Sequence, residues 1–270
     1  MTRGSTAKQE RAGSALARWY DENGRHTLPW RATRDRWLVL VSEVMLHQTQ
    51  APRVATVYDA FVAQFPTPAA MAAASPGDVI AAWGRLGYPR RARWLWDAAH
   101  RITTDGWPAN LEELPGVGKY TAAAIVAQCD NADAIGIEVN IRRVCERVSG
   151  VRLMPKAADE AAIAIADPLR GRDRLLALMD LGAMICTARA PACDRCPISA
   201  DCATRGTLAD ETRHRQAKYA GSFRERRGGV LARLRVGPVR RVELDGEALA
   251  SLLDDGLAEV TRGRAHLPTS

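Results

Sequence analysis

From residue 6 to residue 185, apolar positions recur at helical spacing, every third or fourth residue. Strict alternation of apolar and polar residues is almost absent before residue 229. The pattern predicts helices over 6–22, 38–50, 53–64, 76–84, 90–104, 119–129, 139–148, 157–166 and 172–185. Prolines punctuate the joints, at Pro29, Pro52, Pro66, Pro76, Pro89, Pro108, Pro115, Pro155 and Pro168. There is no internal repeat and no long low-complexity stretch, so the body is predicted to be mainly α. From Arg205 to Arg241 the composition changes, with eleven Lys and Arg against three Asp and Glu. This predicts a basic linker leading to a small tail. The tail reads as helix 224–235, helix 245–255 and a hairpin in "LAEVTRGRAHLP", the order of a winged-helix-like module.

Composition narrows the class. The chain has 270 residues, 47% apolar and 26% charged, enough for one large domain or two modest ones. The N-terminus lacks an apolar signal region, and no segment reaches the roughly 18–20 apolar residues of a membrane span. A cytoplasmic protein is expected, with no membrane partner. Net charge is +7, and Arg far outnumbers Lys. That bias suits a polyanion, because guanidinium forks onto phosphate. A high-GC genome produces the same bias.

Within "WLVLVSEVMLHQTQA", Glu43 is the only acid between Asp35 and Asp59. A carboxylate in such an apolar run costs several kcal/mol to bury unless it is paired or keeps its proton. Such a group is a candidate general acid. The bland alternative places Glu43 in the first turn of a helix behind Ser42, where it favours the dipole.

Four of the six cysteines, Cys186, Cys193, Cys196 and Cys202, occupy 17 residues with the spacing Cys-x6-Cys-x2-Cys-x5-Cys. A disulfide framework fits poorly in a chain with no secretion signal. Four thiolates on one short loop suit a 4Fe–4S cluster, with a single zinc ion as the alternative. Cys129 and Cys145 fall on predicted helices and read as small buried hydrophobes.

"LEELPGVGKYTAAAI" reads as a short helix, a Gly-x-Gly turn and a longer helix. Gly116 and Gly118 permit positive φ and leave the backbone bare. The amides opening the next helix then form an anion site. By itself, this turn is an ordinary helix–helix joint.

The "LPGVG" hairpin and the cysteine spacing, in this order, resemble the endonuclease III/MutY group of helix-hairpin-helix DNA glycosylases, and within it the MutY-type adenine glycosylases. The resemblance covers residues 14–205. It implies a mainly α, two-lobed helix-hairpin-helix DNA glycosylase fold with an iron–sulfur cluster loop. The expected division is a cluster lobe of 1–29 and 136–205 and a helical barrel lobe of 30–135 with the hairpin at 111–130. A basic linker of 206–223 and a winged-helix-like tail of 224–270 follow. The active site would lie between the lobes.

The resemblance also implies roles. "SEVMLHQTQ" is similar to the signature in which Glu43 would protonate N7 of adenine. "GIEVNIRRV" is similar to the family's Asp-x-Asn pattern, giving Glu138 and Asn140. Glu138 replaces the family Asp, one methylene longer, and would stabilise the oxocarbenium ion. Capping through Arg142 is its structural alternative. Asp133 is the nearest Asp. Tyr120 stands where lyase-active members carry Lys, so a monofunctional enzyme is expected, with Lys119 facing elsewhere and helping the hairpin amides bind DNA. Gln48 and Tyr88 match residues that wedge into the base stack, with His47 in place of a second Gln. Arg31 of "LPWR" would line the pocket entrance, and Arg91, with Arg85, Arg90 and Arg93, would follow the DNA backbone. Arg189, Arg195 and Arg205 would be presented to phosphates by the cluster loop. The implied partner is double-stranded DNA with a mismatch or lesion, met by a monomer. The implied substrate is adenine opposite 8-oxoguanine or guanine. The alternatives are another base, such as uracil or mismatched thymine, or lesion binding without catalysis. The tail lacks room for the larger domain that commonly inspects 8-oxoguanine.

Overall fold

The computed structural model describes residues 3–211 and 218–269, with residues 3–9 by backbone alone. Residues 212–217 of the expected linker lie outside the described residues. The chain divides into two compact units, 1–39 with 118–214 and 40–117 with 215–270.

In the first unit, α1 (Arg3–Asn23), α8 (Lys119–Asp130), α9 (Val139–Ser149), α10 (Pro155–Ala166) and α11 (Gly171–Asp180) surround one core. Leu16, Tyr20, Ala124, Ile141, Val144, Leu175, Leu178 and Leu181 fill it. These residues recur at helical spacing, which is why each helix buries a single stripe. α8 stops at Asn131 and α9 at Gly150, both in the left-handed conformation that ends helices. The expected continuous helix over 172–185 is instead α11 followed by a π-turn, Leu181–Ile185. Cys145 sits in this core and Cys129 is half-buried. Burial pushes their thiols up, to about 12 and about 11, so both stay protonated.

α2 (Arg36–Leu46) passes from the first unit into the second. The second unit holds α3 (Ala51–Ala55), α4 (Tyr58–Gln64), α5 (Pro68–Ala72), α6 (Pro76–Trp83) and α7 (Arg90–Asp105). The expected helix over 53–64 is broken between α3 and α4, and α5 has no counterpart among the predicted helices. α6 starts where its sequence says it should: Ser75 and Asp78 form a reciprocal capping box, with Pro76 just inside. Phe61, Phe65, Val79, Ile80, Trp83 and Leu95 are buried here.

The tail belongs to this second unit. α12 (Phe223–Val236) and α13 (Gly246–Asp254) agree with the predicted helices. The predicted hairpin is β2 (Glu259–Thr261) with β3 (Arg264–His266), and an unforeseen β1 (Val239–Arg240) completes an antiparallel sheet in the order β1-β3-β2. Ala265 pairs with Val239 on one side and Val260 on the other, and is fully buried. Arg235 Nε donates to the carbonyl of Ile80, the Gly77 amide donates to the carbonyl of Pro268, and Arg90 pairs with Asp255. The tail is thus packed onto α6 and α7. Residues 30–39 and 118–135, expected in the hairpin lobe, group with the cysteine-bearing unit.

Candidate active site

Glu43 lies in α2 with 3% of its surface exposed, three residues before the helix ends at Leu46. The helix begins at Arg36, so the first-turn reading is overturned. Near a C-terminus the helix dipole opposes a carboxylate. Dipole stabilisation therefore does not explain this residue.

The chain leaves α2 through His47, Gln48 and Thr49. Gln48 is exposed and left-handed, at φ 55°. Tyr88 precedes α7, 40% exposed and also left-handed, at φ 47°. Neither is a residue that tolerates this region cheaply, and each costs about 1–3 kcal/mol. Strain of this kind persists only where surrounding contacts impose it. His47 is half-buried, and burial beside Arg91 lowers its pKa, favouring a neutral ring.

Arg91 does not follow the DNA backbone. It is 3% exposed, and its guanidinium is spent on internal acceptors. Nη1 donates to the carbonyls of Val44, Met45 and His47, at 2.9, 2.8 and 2.5 Å. Nη2 donates to Thr49 Oγ1 and the carbonyl of Gly87, and Nε to that of Tyr88. Burial lowers its pKa to about 10. Two other members of the expected basic run are also engaged, Arg90 by Asp255 and Arg93 by Asp97.

At the hairpin, Gly116 has φ 78°, and a Cβ there would stand 3.1 Å from that of Trp94. Gly118, expected to use positive φ, has φ −101°, which any residue adopts. Its value is bareness: a Cβ would meet nothing within 4 Å. It caps α8 without a side-chain bond, leaving the first amides of that helix for an anion. Lys119 is exposed and the following Tyr120 half-buried, so the two do point differently.

In the first unit, two close approaches flank Glu138 in the chain. A Cβ on Gly136 would lie 2.7 Å from the Tyr120 ring, and one on Gly182 would lie 2.7 Å from the carbonyl oxygen of Asn140. Glu138 caps α9, accepting from the Ile141 amide at 2.8 Å and Asn140 Nδ2 at 2.9 Å. Burial raises its pKa, and the bonds from Asn140 and Ile141 and the charge of Arg143 oppose this. Arg142 is not its capping partner, bonding instead to the carbonyl of Leu153 and pairing with Glu146. Asp133 is taken by buried Arg174. Arg143 donates to Asn140 Oδ1 and to the carbonyls of Gly182 and Cys186, each at 2.6 Å. The π-turn between Gly182 and Cys186 thereby connects the Glu138 cap to the cysteine loop. Such turns often mark functional positions.

Cys186, Cys193, Cys196 and Cys202 all line one small recess, with Val144, Ile198 and other apolar neighbours. Arg147 Nη1 approaches Cys186 Sγ at 3.4 Å, and the Arg205 amide approaches Cys202 Sγ at 3.4 Å. Soft sulfur ligands around an apolar recess, with N–H donors aimed at sulfur, fit an iron–sulfur cluster. Arg147, almost fully buried, also grips Glu211 through both carboxylate oxygens, at 2.6 and 2.8 Å. The first part of the expected linker is therefore anchored. Arg189, Arg195 and Arg205 are exposed around the loop.

Arg31 is not at a pocket entrance. Its side chain is 4% exposed and bonds Asp180, which is fully buried and also holds Arg25. Sequence reasoning missed Asp180. Its signal was the one that selected Glu43, a lone acid in an apolar run.

The profile of HhH-GPD superfamily base excision DNA repair proteins matches residues 41–166. That of the iron–sulfur binding domain of endonuclease III matches 186–202, spanning the four cysteines. An adenine DNA glycosylase of Mycolicibacterium smegmatis is 40% identical over 271 residues, covering 91% of this chain and 92% of that protein. The chain belongs to the adenine DNA glycosylase family. It is a base excision repair glycosylase with a 4Fe–4S cluster, and the cluster-domain match spans the four cysteines. Coverage of 91% carries the likeness into the tail, where the sequence alone showed no match. A solved thermostable thymine-DNA glycosylase superposes with TM-score 0.66 at 28% identity, covering 74% of this chain and 97% of that one. An endonuclease III in a non-covalent DNA complex shares the fold, with TM-score 0.61 at 20% identity over 71% and 92% of the two chains. No helix among the described residues is long and apolar enough to cross a membrane.

Proposed function

We propose that this glycosylase removes adenine mispaired with 8-oxoguanine or guanine in duplex DNA, working as a cytoplasmic monomer and without lyase activity. The observation that carries the reading is Glu43, a carboxylate buried in the apolar run of α2, in a chain 40% identical to an adenine glycosylase. Glu43 as a carboxylic acid gives its proton to adenine N7. The C1′–N9 bond breaks and its electron pair leaves with the base. Glu138 as carboxylate stabilises the oxocarbenium ion, held in place by Asn140 and the Ile141 amide. Water then adds to C1′ and passes a proton to the Glu43 carboxylate, restoring the acid. Tyr120, where an attacking amine would stand in a lyase, leaves no Schiff base to form.

Around this chemistry, the uncapped start of α8 behind Gly116, Gly118 and Lys119 binds a backbone phosphate. Gln48 and Tyr88 enter the stack as the nucleotide leaves it, with His47 beside them. The cysteine loop, which would hold the cluster, presents Arg189, Arg195 and Arg205 to phosphates.

The test is base release from labelled duplexes holding adenine opposite 8-oxoguanine, guanine and thymine, with thymine and uracil opposite guanine. Strand breaks at adenine only after alkali, lost in Glu43→Gln, are the expected result. Release of thymine or uracil instead would favour the other reading, which draws on Glu138 in place of Asp and on the likeness to a thymine-DNA glycosylase.

A further inference from the structure

We propose that Arg91 is a positioning residue that sets both wedge residues at once, and that duplex opening depends on it. This rests on the glycosylase reading above. Gln48 and Tyr88 occur on separate loops, yet both are exposed and left-handed without being glycine. One guanidinium bonds the backbone at both. It holds the His47 carbonyl and Thr49 Oγ1 around Gln48, and the Gly87 and Tyr88 carbonyls at the other loop. Its remaining bonds go to Val44 and Met45, so the same group closes the end of the helix that carries Glu43. Rings sit around it, Trp83 at 5.1 Å and Tyr88 at 5.3 Å.

The loops have further ties of their own. Arg53 Nη2 donates to the Arg85 carbonyl, and Trp83 Nε1 donates to that of Gly87 at 3.0 Å. The acceptors of Arg91 are carbonyls and one hydroxyl, which ask for several fixed donors more than for charge. A lysine has three donors at one nitrogen and cannot span this set. The bonds impose the two left-handed conformations, and the wedges are presented in fixed relation to each other and to the end of α2.

The experiment uses the full chain with its cluster, in a Glu43→Gln background that stops base release. The probe is a duplex with 2-aminopurine as the target base, whose fluorescence rises on unstacking. The parent is expected to give this rise at saturating protein. Arg91→Lys is expected to bind the duplex and lose most of the rise, and in the Glu43 background to release base roughly 100-fold more slowly. Thr49→Val removes one acceptor of Arg91, and the long 3.5 Å bond from Thr49 Oγ1 to the Leu86 carbonyl, with little change of shape, and is expected to lose a smaller part of the rise. It serves as the test should Arg91→Lys fail to fold. A full rise in a folded Arg91→Lys protein, or in Thr49→Val where only that variant folds, overturns the assignment. If wild type releases no base and the parent shows no rise, the glycosylase reading falls and takes this one with it.

Discussion

Two lone acids in apolar runs, Glu43 and Asp180, give the same sequence signal and have different structural settings. Asp180 is consumed by Arg25 and Arg31, so Asp180→Asn would leave two half-buried or buried guanidinium groups short of a counter-charge. A loss of about 3–5 kcal/mol is expected, read as a melting temperature lower by roughly 6–20 °C. Glu43→Gln should do the reverse: base release falls roughly 100- to 10,000-fold, while melting temperature and duplex affinity stay near wild type. Glu138 adds a pH signature. Its pKa is raised, chiefly by burial, and the reaction needs its ionised form. Base release is therefore lost as pH falls through a value above the ordinary glutamate pKa of about 4.3. Single-turnover rates across acid pH, corrected for spontaneous depurination, would show this limb. A limb at or below the ordinary value would contradict it.

At the scale of elements, periodicity located most helices, because each buries one stripe against a core. It failed where a turn is set by distant partners. The π-turn Leu181–Ile185 reads as plain helix in sequence, but Arg143 draws its Gly182 carbonyl and the Cys186 carbonyl toward α9. Gly182 is also the place where α9 passes too closely for a side chain. Gly182→Ala should push Asn140 aside at a cost of about 1–3 kcal/mol. Slower base release with unchanged duplex affinity is the expected result, measured by single turnover beside a binding titration. The hairpin was legible as a motif, yet only Gly116 uses the left-handed freedom credited to both glycines.

At the scale of the molecule, the tail is a packed part of the second unit. Removing residues 218–270 would take Arg235 from the Ile80 carbonyl, Asp255 from Arg90 and the Pro268 carbonyl from the Gly77 amide. The truncated protein is expected to melt at a lower temperature even without DNA, by differential scanning calorimetry. An unchanged melting temperature would mark the tail as an independent appendage. What the sequence determined by itself was local or chemical. Helical periodicity, the four thiols on one short loop, the bare hairpin turn and an acid in an apolar run all depend on residues near one another in the chain. What only the tertiary structure decided was the use of each charge. Arg31, Arg91, Arg143 and Arg147 carry the same side chain as the exposed Arg189 and Arg195, and acceptors remote in the chain made them internal braces. A guanidinium's role depends on which carbonyls and carboxylates the fold brings to it, and those partners are remote in sequence.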